Sequence, residues 1–340
     1  MIVVYKQTLN YSDMHYLFLR SKLRNTFYKT KILLSKLLNN IEPISSSGTE
    51  DLDTFLSNAE PVRFRDITDF QKHYKSLADK RLSIEKHLGD KYKNKPAWLF
   101  EGYCQCCEKD AVFLADWRYS DGTFPNYRER LFCNHCGLNS RQRFILYYAK
   151  NLLRGRTGVP RLFCYEQATS FYRQLAGRLD KADVTGSEYL GYDKTQGQIV
   201  NGIRCENALC LSFESESFDL IISNDVYEHV PDVTKTLKEA YRCLKKDGIL
   251  IFSVPFFMNK KTTEQRALID NKGKTVHLMP EQYHANPVSR KGSLVYYDFG
   301  WDILNFCKEA GFKDAYLVAY YSMLYGYIGN GMQFIFCAEK

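Results

Sequence analysis

Two cysteine pairs are the first residues whose spacing implies chemistry. Cys104-x2-Cys107 in "YCQCCEKD" and Cys133-x2-Cys136 in "FCNHCGLNSRQR" each let a tight turn present two thiolates to one tetrahedral ion, with backbone N–H groups pointing at sulfur. Twenty-five residues separate the pairs, and "DAVFLADWRY" and "YRERLFC" between them read as ribbon strands. Four thiolates leave no open position for water, so a zinc ion held there is structural and folds a small module that lacks a core of its own. Cys106 and His135, inside the same knuckles, are spare donors ranked behind the four.

The second group is "SNDVYEH", which ends an apolar run, Asp219 to Ser223, that reads as a buried strand. Asp232 is placed to cap a following helix whose Val233, Leu237, Tyr241 and Leu244 form its inner face. Gly248 is expected to close that helix, and "ILIFSV" is the next strand. A polar cluster at the carboxyl end of a strand in such a strand–helix–strand unit lies on the edge where open α/β sheets bind ligands. His229 there is the first candidate general base and His284 of "PEQYHANP" the second, with local shaping of the pocket as the equal alternative for His229.

Beyond about residue 158, strand-like runs alternate with helical patterns, the signature of a parallel α/β sheet. Residues 258–297 form a long insertion between the fifth strand and the final helix, placed where a substrate lid would sit, and its Tyr283, His284 and Asn286 suit a small polar acceptor. In the front half, residues 12–40 read as a basic amphipathic helix able to dock on a partner or lie on a membrane surface. A second helix spans about 67–88 and is closed by Gly89. The three units expected are a helical region 1–98, a four-cysteine module 99–157 and an α/β domain 158–340.

The 340 residues carry a net charge of +8. Residues 1–157 hold 26 Lys+Arg against 17 Asp+Glu, and the remainder 21 against 22, so the basic surplus belongs to the front half. With 45% apolar and 15% aromatic residues the chain can bury a sizeable core. No run of about 18 uncharged apolar residues suggests a spanning helix. Eleven cysteines, odd in number and without a signal-like start, point to reduced thiols and a cytoplasmic address. The six from Cys164 onward lie singly in apolar runs as small core residues.

Residues 158–340 resemble class I S-adenosylmethionine-dependent methyltransferases of the type 11 group. The resemblance is carried by "FDLIISNDVYEHVPD", "LKKDGILIFSVP", "ENALCLSFESESFD" and the closing "GFKDAYLVAYYSMLYGYIGNGMQFIFCAEK". It implies a Rossmann-like sheet, mostly parallel with a carboxyl-terminal antiparallel hairpin, and a site for S-adenosylmethionine. The ribose acid of the family falls on Glu188, with Asp193 as alternative. The adenine contact falls on Asn207, beside Ala208, where the family usually has Asp, and Glu206 next door could compensate. Asn224 and Asp225 complete the strand-end positions. The first-strand acid falls on Glu166, followed by Gln167, Ala168 and Ser170. This turn, "QATSFY", has none of the glycines that normally let the cofactor approach the backbone, although Ala168 and Ser170 are small and stand at alternate positions.

Methyl transfer from a sulfonium is an in-line displacement governed by proximity and alignment. The resemblance, the neutral rear half and the insertion point to a sugar, glycan or metabolite hydroxyl as acceptor. RNA methylation is the alternative, supported by the basic front half and "NSRQRF". A non-catalytic scaffold is the third reading, supported by the glycine-free turn.

Overall fold

The computed structural model describes residues 61–179, 181–286 and 288–340. The basic helix expected over 12–40 lies outside them. Strand β1 (Val62–Phe64) leads through Asp66, whose side chain accepts from the Asp69 N–H at 2.8 Å, into helix α1 (Ile67–Tyr92). The helix runs through Gly89 instead of stopping there. A side chain at Gly89 would stand 3.4 Å from both Pro125 and the Thr123 carbonyl, in contact with the loop that crosses there.

Strands β2 (Ala97–Cys104) and β3 (Lys109–Asp116) form an antiparallel hairpin, joined on the β3 side by β4 (Leu131–Cys133). "YRERLFC", expected as one strand, is divided: its first four residues make the helical turn α2 (Tyr127–Arg130) and only the last three pair. Helix α3 (Ser140–Leu153) follows, fixed by a capping box in which Asn139 and Gln142 exchange hydrogen bonds.

The rest of the chain builds one sheet. Strand β5 (Arg161–Cys164), helix α4 (Ser170–Arg178) and strand β6 (Asp183–Gly186) are followed by the short hairpin β7 (Ile199–Val200) and β8 (Ile203–Arg204). Strand β9 (Phe218–Asn224), a 3-10 turn (Tyr227–His229), helix α5 (Val233–Cys243) and strand β10 (Leu244–Ser253) make the central unit. Asp232 caps α5 by accepting from the Lys235 N–H at 2.8 Å, as expected. Gly248 does not cap it: the helix ends at Cys243, and Gly248 lies in an irregular start of β10, where the register shifts between Leu244 and Ile249.

The insertion is ordered into β11 (Glu264–Gln265), β12 (Ala267–Ile269), β13 (Thr275–His277), β14 (Tyr283–Asn286), β15 (Ser289–Leu294) and β16 (Tyr297–Asp298), paired as β11–β16, β12–β13 and β14–β15. Helix α6 (Ile303–Glu309) and the antiparallel strands β17 (Asp314–Tyr320) and β18 (Gln333–Glu339) close the fold.

The large sheet has the order β1-β17-β18-β10-β9-β5-β6. Strands β6, β5, β9 and β10 are parallel, β18 and β17 form the antiparallel end, and β1 adds an edge strand from the front of the chain. This is the Rossmann-like sheet of the class I methyltransferase fold. One face packs on α5 and α6 through Phe252, Leu237 and Leu304. The other packs on α3, α4 and the four-cysteine sheet through Phe144, Phe171 and Phe113, so that module shares a core with the sheet.

Candidate active site

The parallel topology brings the carboxyl ends of β5, β6 and β9 to one edge, where a cleft of about 730 Å³ opens. Glu166, Glu188, Asn207, Ala208, Asn224 and Asp225 line it, as the sequence reading placed them.

Behind β5, Glu166 accepts from Asn224 Nδ2 at 2.5 Å and from the Thr169 hydroxyl. Burial pushes its carboxyl up, against the pull of those two donors and of Arg141. At the end of β6, Glu188 takes the Gln167 and Ala168 N–H groups on one oxygen, Oε1, at 2.8 and 2.7 Å. The other oxygen, Oε2, is not used by these bonds. The turn after β5 therefore needs no glycine for its shape, since none of its residues has a positive φ. The glycine that closeness does require is across from it: a side chain at Gly186 would lie 2.4 Å from the Tyr172 ring and 2.8 Å from the Glu166 carbonyl.

Three expectations for this turn change. Gln167, Ala168 and Ser170 do not line the cleft. The side chain of Gln167 turns to the β7–β8 hairpin, donating to the Gly202 carbonyl and accepting from the Arg204 N–H, and Ala168 acts through its N–H on Glu188. Ser170 is exposed as the first residue of α4, and the residue facing the cleft is its cap, Thr169.

The alternatives on the second and third strand ends separate cleanly. Asp193 is exposed and paired with Lys194 at 2.6 Å, away from the cleft. Glu206 is buried and committed to Arg204, at 2.8 Å, and to Ser212, so it does not stand in for Asn207. The Asn207 amide oxygen accepts from the Leu209 N–H at 3.0 Å, which leaves one of its lone pairs for a ligand.

Asp225, with φ of +50°, closes the floor. Its carboxylate meets Arg141 at 2.8 Å, Arg128 at 3.4 Å and the Ser253 hydroxyl at 2.9 Å. Burial alone would raise its pKa, but the two guanidiniums outweigh this and hold it at about 2. Arg141 also binds Glu129 at 3.1 Å and Ser253 at 2.9 Å, joining the four-cysteine module to the ends of β9 and β10. Arg143, from the same "NSRQR", is fully buried and donates to the Tyr325 and Gly326 carbonyls at 2.5 and 2.8 Å. Both arginines are spent inside the protein, which removes that motif as support for an RNA surface.

His229 of the 3-10 turn lines the opposite wall, and beside it, not lining the cleft, stand the fully buried Glu228 and, from β14, His284. His229 Nδ1 donates to the Leu294 carbonyl at 2.8 Å, and its ring lies 5.0 Å from that of His284 at right angles. The facing Glu228 carboxylate, opposed by burial, raises the pKa of His284. Hairpin β14–β15 covers the cleft with Asn286, Ser293 and Leu294, whereas Tyr283 points outward and bonds Glu281. Thr169, Tyr189, Tyr296, Glu228 and Arg141 were not singled out from the sequence. Only the polar "NDVYEH" hinted at Glu228.

The four sulfurs of Cys104, Cys107, Cys133 and Cys136 lie within 4.8 Å of one another, with Cys107 and Cys133 4.0 Å apart. Sulfurs on a tetrahedral zinc stand about 3.8 Å apart, so the set fits that ion. The Cys107 N–H donates to the Cys104 carbonyl at 3.1 Å, and Gly137, with φ of +69°, turns the second knuckle. The spare donors have other partners: the Cys106 thiol donates to the Arg143 carbonyl at 2.7 Å, and His135 Nε2 meets the Asp110 carbonyl at 3.1 Å.

Residues 170–252, from α4 to β10, match the family described as "Methyltransferase domain" (type 11). Arsenite methyltransferase of Mus musculus is 39% identical over 66 residues, 19% of this chain and 17% of that protein. The chain thus aligns with under a fifth of that curated relative. Among solved structures, an S-adenosylmethionine-dependent methyltransferase from Mesorhizobium loti is 16% identical over 57% of this chain and 97% of its own, with a TM-score of 0.34. One from Methanosarcina mazei is 15% identical over 57% and 96%, with a TM-score of 0.35. The family match thus covers about a quarter of the chain, and it falls on the central α/β unit of the large sheet.

Proposed function

We propose that the protein transfers a methyl group from S-adenosylmethionine to a hydroxyl of a small polar acceptor such as a sugar or metabolite, with a structural zinc in its four-cysteine module. The observation that carries this is the Glu188 carboxylate: one oxygen organises the turn after β5 while the other is left to accept from the ribose diol. The cleft also holds a buried Asn224 Oδ1 that has no partner among the described residues, which suits a ligand donor. Asn207 is placed for the adenine amino group and Glu166 for the methionine end. The residues fit the cofactor.

Bound there, the cofactor supplies an electrophilic methyl group: the acceptor oxygen forms an O–C bond as the S–C bond breaks, giving a thioether and one proton. The chain's part is to align and to exclude water. Glu188 and Asn207 fix the nucleoside, and β14–β15 covers the acceptor side. His229, which borders the cleft with Glu228 and His284 beside it, would hold the acceptor oxygen and ease the loss of its proton.

The glycine-free turn gives no separate support to a scaffold, because its backbone is unstrained without glycine. Incubation with S-adenosylmethionine and panels of monosaccharides, nucleotide sugars and short RNAs, following S-adenosylhomocysteine release, tests the reading. Turnover is expected with hydroxylated small molecules; turnover confined to RNA would replace it.

A further inference from the structure

Glu228 is the least satisfied acid of the described residues. Its side chain is fully buried, and neither carboxylate oxygen has a hydrogen-bond partner among them. A bare carboxylate costs several kcal/mol to bury. The other buried acids in this region differ: Glu166, Glu188 and Glu206 each accept at least two donors.

Two nitrogens approach Glu228 Oε1, His229 Nε2 at 3.5 Å and His284 Nδ1 at 3.6 Å. Both are too far for good hydrogen bonds. In a tetrahedral set of ligands around one small cation, with bonds of about 2.0–2.2 Å, the ligand atoms stand roughly 3.3–3.6 Å apart. The two approaches to Oε1 already stand at that spacing, and all three ligand atoms lie within 4.8 Å of one another.

The tautomer of His229 points the same way. Its Nδ1–H is used on the Leu294 carbonyl, so neutral His229 aims the Nε2 lone pair at the carboxylate. Two acceptors then face each other, an arrangement that calls for a cation between them. Gln282 lies 3.2 Å from His284 Nε2, and its amide, turned either way, can fix that ring with Nδ1 inward. The Tyr296 N–H, donating to the Glu228 carbonyl at 2.7 Å, ties the insertion to the 3-10 turn.

We propose that Glu228, His229 and His284 bind one divalent transition-metal ion at the acceptor wall of the cleft. Two imidazoles and a carboxylate select borderline metals such as Mn²⁺, Fe²⁺, Co²⁺ or Zn²⁺ over Mg²⁺ and Ca²⁺. Three ligands from one side leave positions open, and His229 borders the cleft. The role, which rests on the methyl-transfer reading above, is to orient an acceptor hydroxyl and lower its pKa, so that its proton passes to solvent without a dedicated base.

The test uses full-length, zinc-replete protein with Co²⁺ as probe, followed by calorimetry and visible absorption. One further equivalent should bind without a sulfur-to-cobalt charge-transfer band. Glu228→Gln and His284→Ala should each weaken it by about 100-fold, while S-adenosylhomocysteine affinity stays within about twofold. Glu228→Gln removes a buried charge and His284 is partly exposed, so both variants are expected to fold. No further equivalent, or one that both variants leave intact, would overturn the site and leave a proton as its only occupant. Cobalt binding with the expected pattern in protein that fails to bind S-adenosylhomocysteine would keep the site and remove the methyl-transfer reading.

Discussion

The four-cysteine cluster and the Glu228–His229–His284 cluster each bring together side chains able to hold a metal ion, and they are built in opposite ways. The first is closed. Its sulfurs converge from two knuckles of one small sheet, backbone groups fix the turns, and Phe113 and Phe144 next to it continue into the core of the large sheet. The second is open. Its carboxylate is buried, but its imidazoles come from a 3-10 turn and from a hairpin of the insertion, and one of them borders the cleft. A saturated site can only hold the chain together, whereas a site with free positions can also receive a substrate atom.

That contrast is broken most severely at the cysteines. Cys133→Ser, or removal of zinc by chelation, should unfold the module and, because it shares a core with the large sheet, lower the melting temperature of the whole protein by more than about 10 °C. Differential scanning calorimetry would show it. An unshifted transition would mean that the sulfurs hold no structural ion.

Arg141 links the two regions and should rank next. Arg141→Met leaves the part-buried Glu129 and Asp225 with only Arg128 as counter-charge, a loss of about 2–3 kcal/mol measured by urea unfolding. The loss should be smaller near pH 2, where Asp225 becomes protonated in the folded protein too. A depressed carboxyl pKa stabilises above its unfolded value of about 3.9, and that stabilisation disappears as pH falls through the folded value.

Glu85 sharpens the comparison most gently, as a buried carboxylate that is hydrogen-bonded and not near either cluster. Its Oε1 accepts from the Gly329 and Gly331 N–H groups at 2.9 and 3.2 Å, yet burial pushes its pKa up to about 7. A raised carboxyl pKa favours the fold fully below the unfolded value of about 4.3, and this stabilisation is lost as pH rises towards 7. Glu85→Gln should therefore flatten the fall in stability between about pH 4.5 and 7, an effect of at most a few kcal/mol. An unchanged pH profile would show that this carboxyl titrates normally.

How far the sequence could be read follows from how local each feature is. The cysteine knuckles are visible because x2 spacing is itself the geometry, and the Asp232 cap because its partner is three residues away. The strand-end positions Glu166, Glu188, Asn207 and Asn224 were legible only through family resemblance, which supplies the topology that gathers them. Arg141 was not: its partners Glu129, Asp225 and Ser253 come from separate elements, and an "NSRQR" run looks like surface basicity until its burial is seen. Gly89 and Gly248 misled for a related reason. Each was read as a helix stop, but neither has a positive φ: Gly89 continues its helix, and Gly248 folds closely against Leu244 and Lys245 at the irregular start of its own strand. The edge strand β1 carries no local mark beyond three residues and is set by its pairing with β17.

On the proposed function, the cleft at the ends of β5, β6 and β9 binds the methyl donor through Glu188 without a glycine-rich turn. Calorimetric titration of zinc-replete protein with S-adenosylhomocysteine, with Glu188→Ala and Ala168→Gly alongside, tests it most directly. The account predicts saturable one-to-one binding, weakened by about 100-fold or more in Glu188→Ala, where a charged hydrogen-bond acceptor is lost. Ala168→Gly should change it by less than about threefold, since the turn has no need of a positive φ. Absence of binding in the parent protein, or binding that survives loss of Glu188, would contradict it.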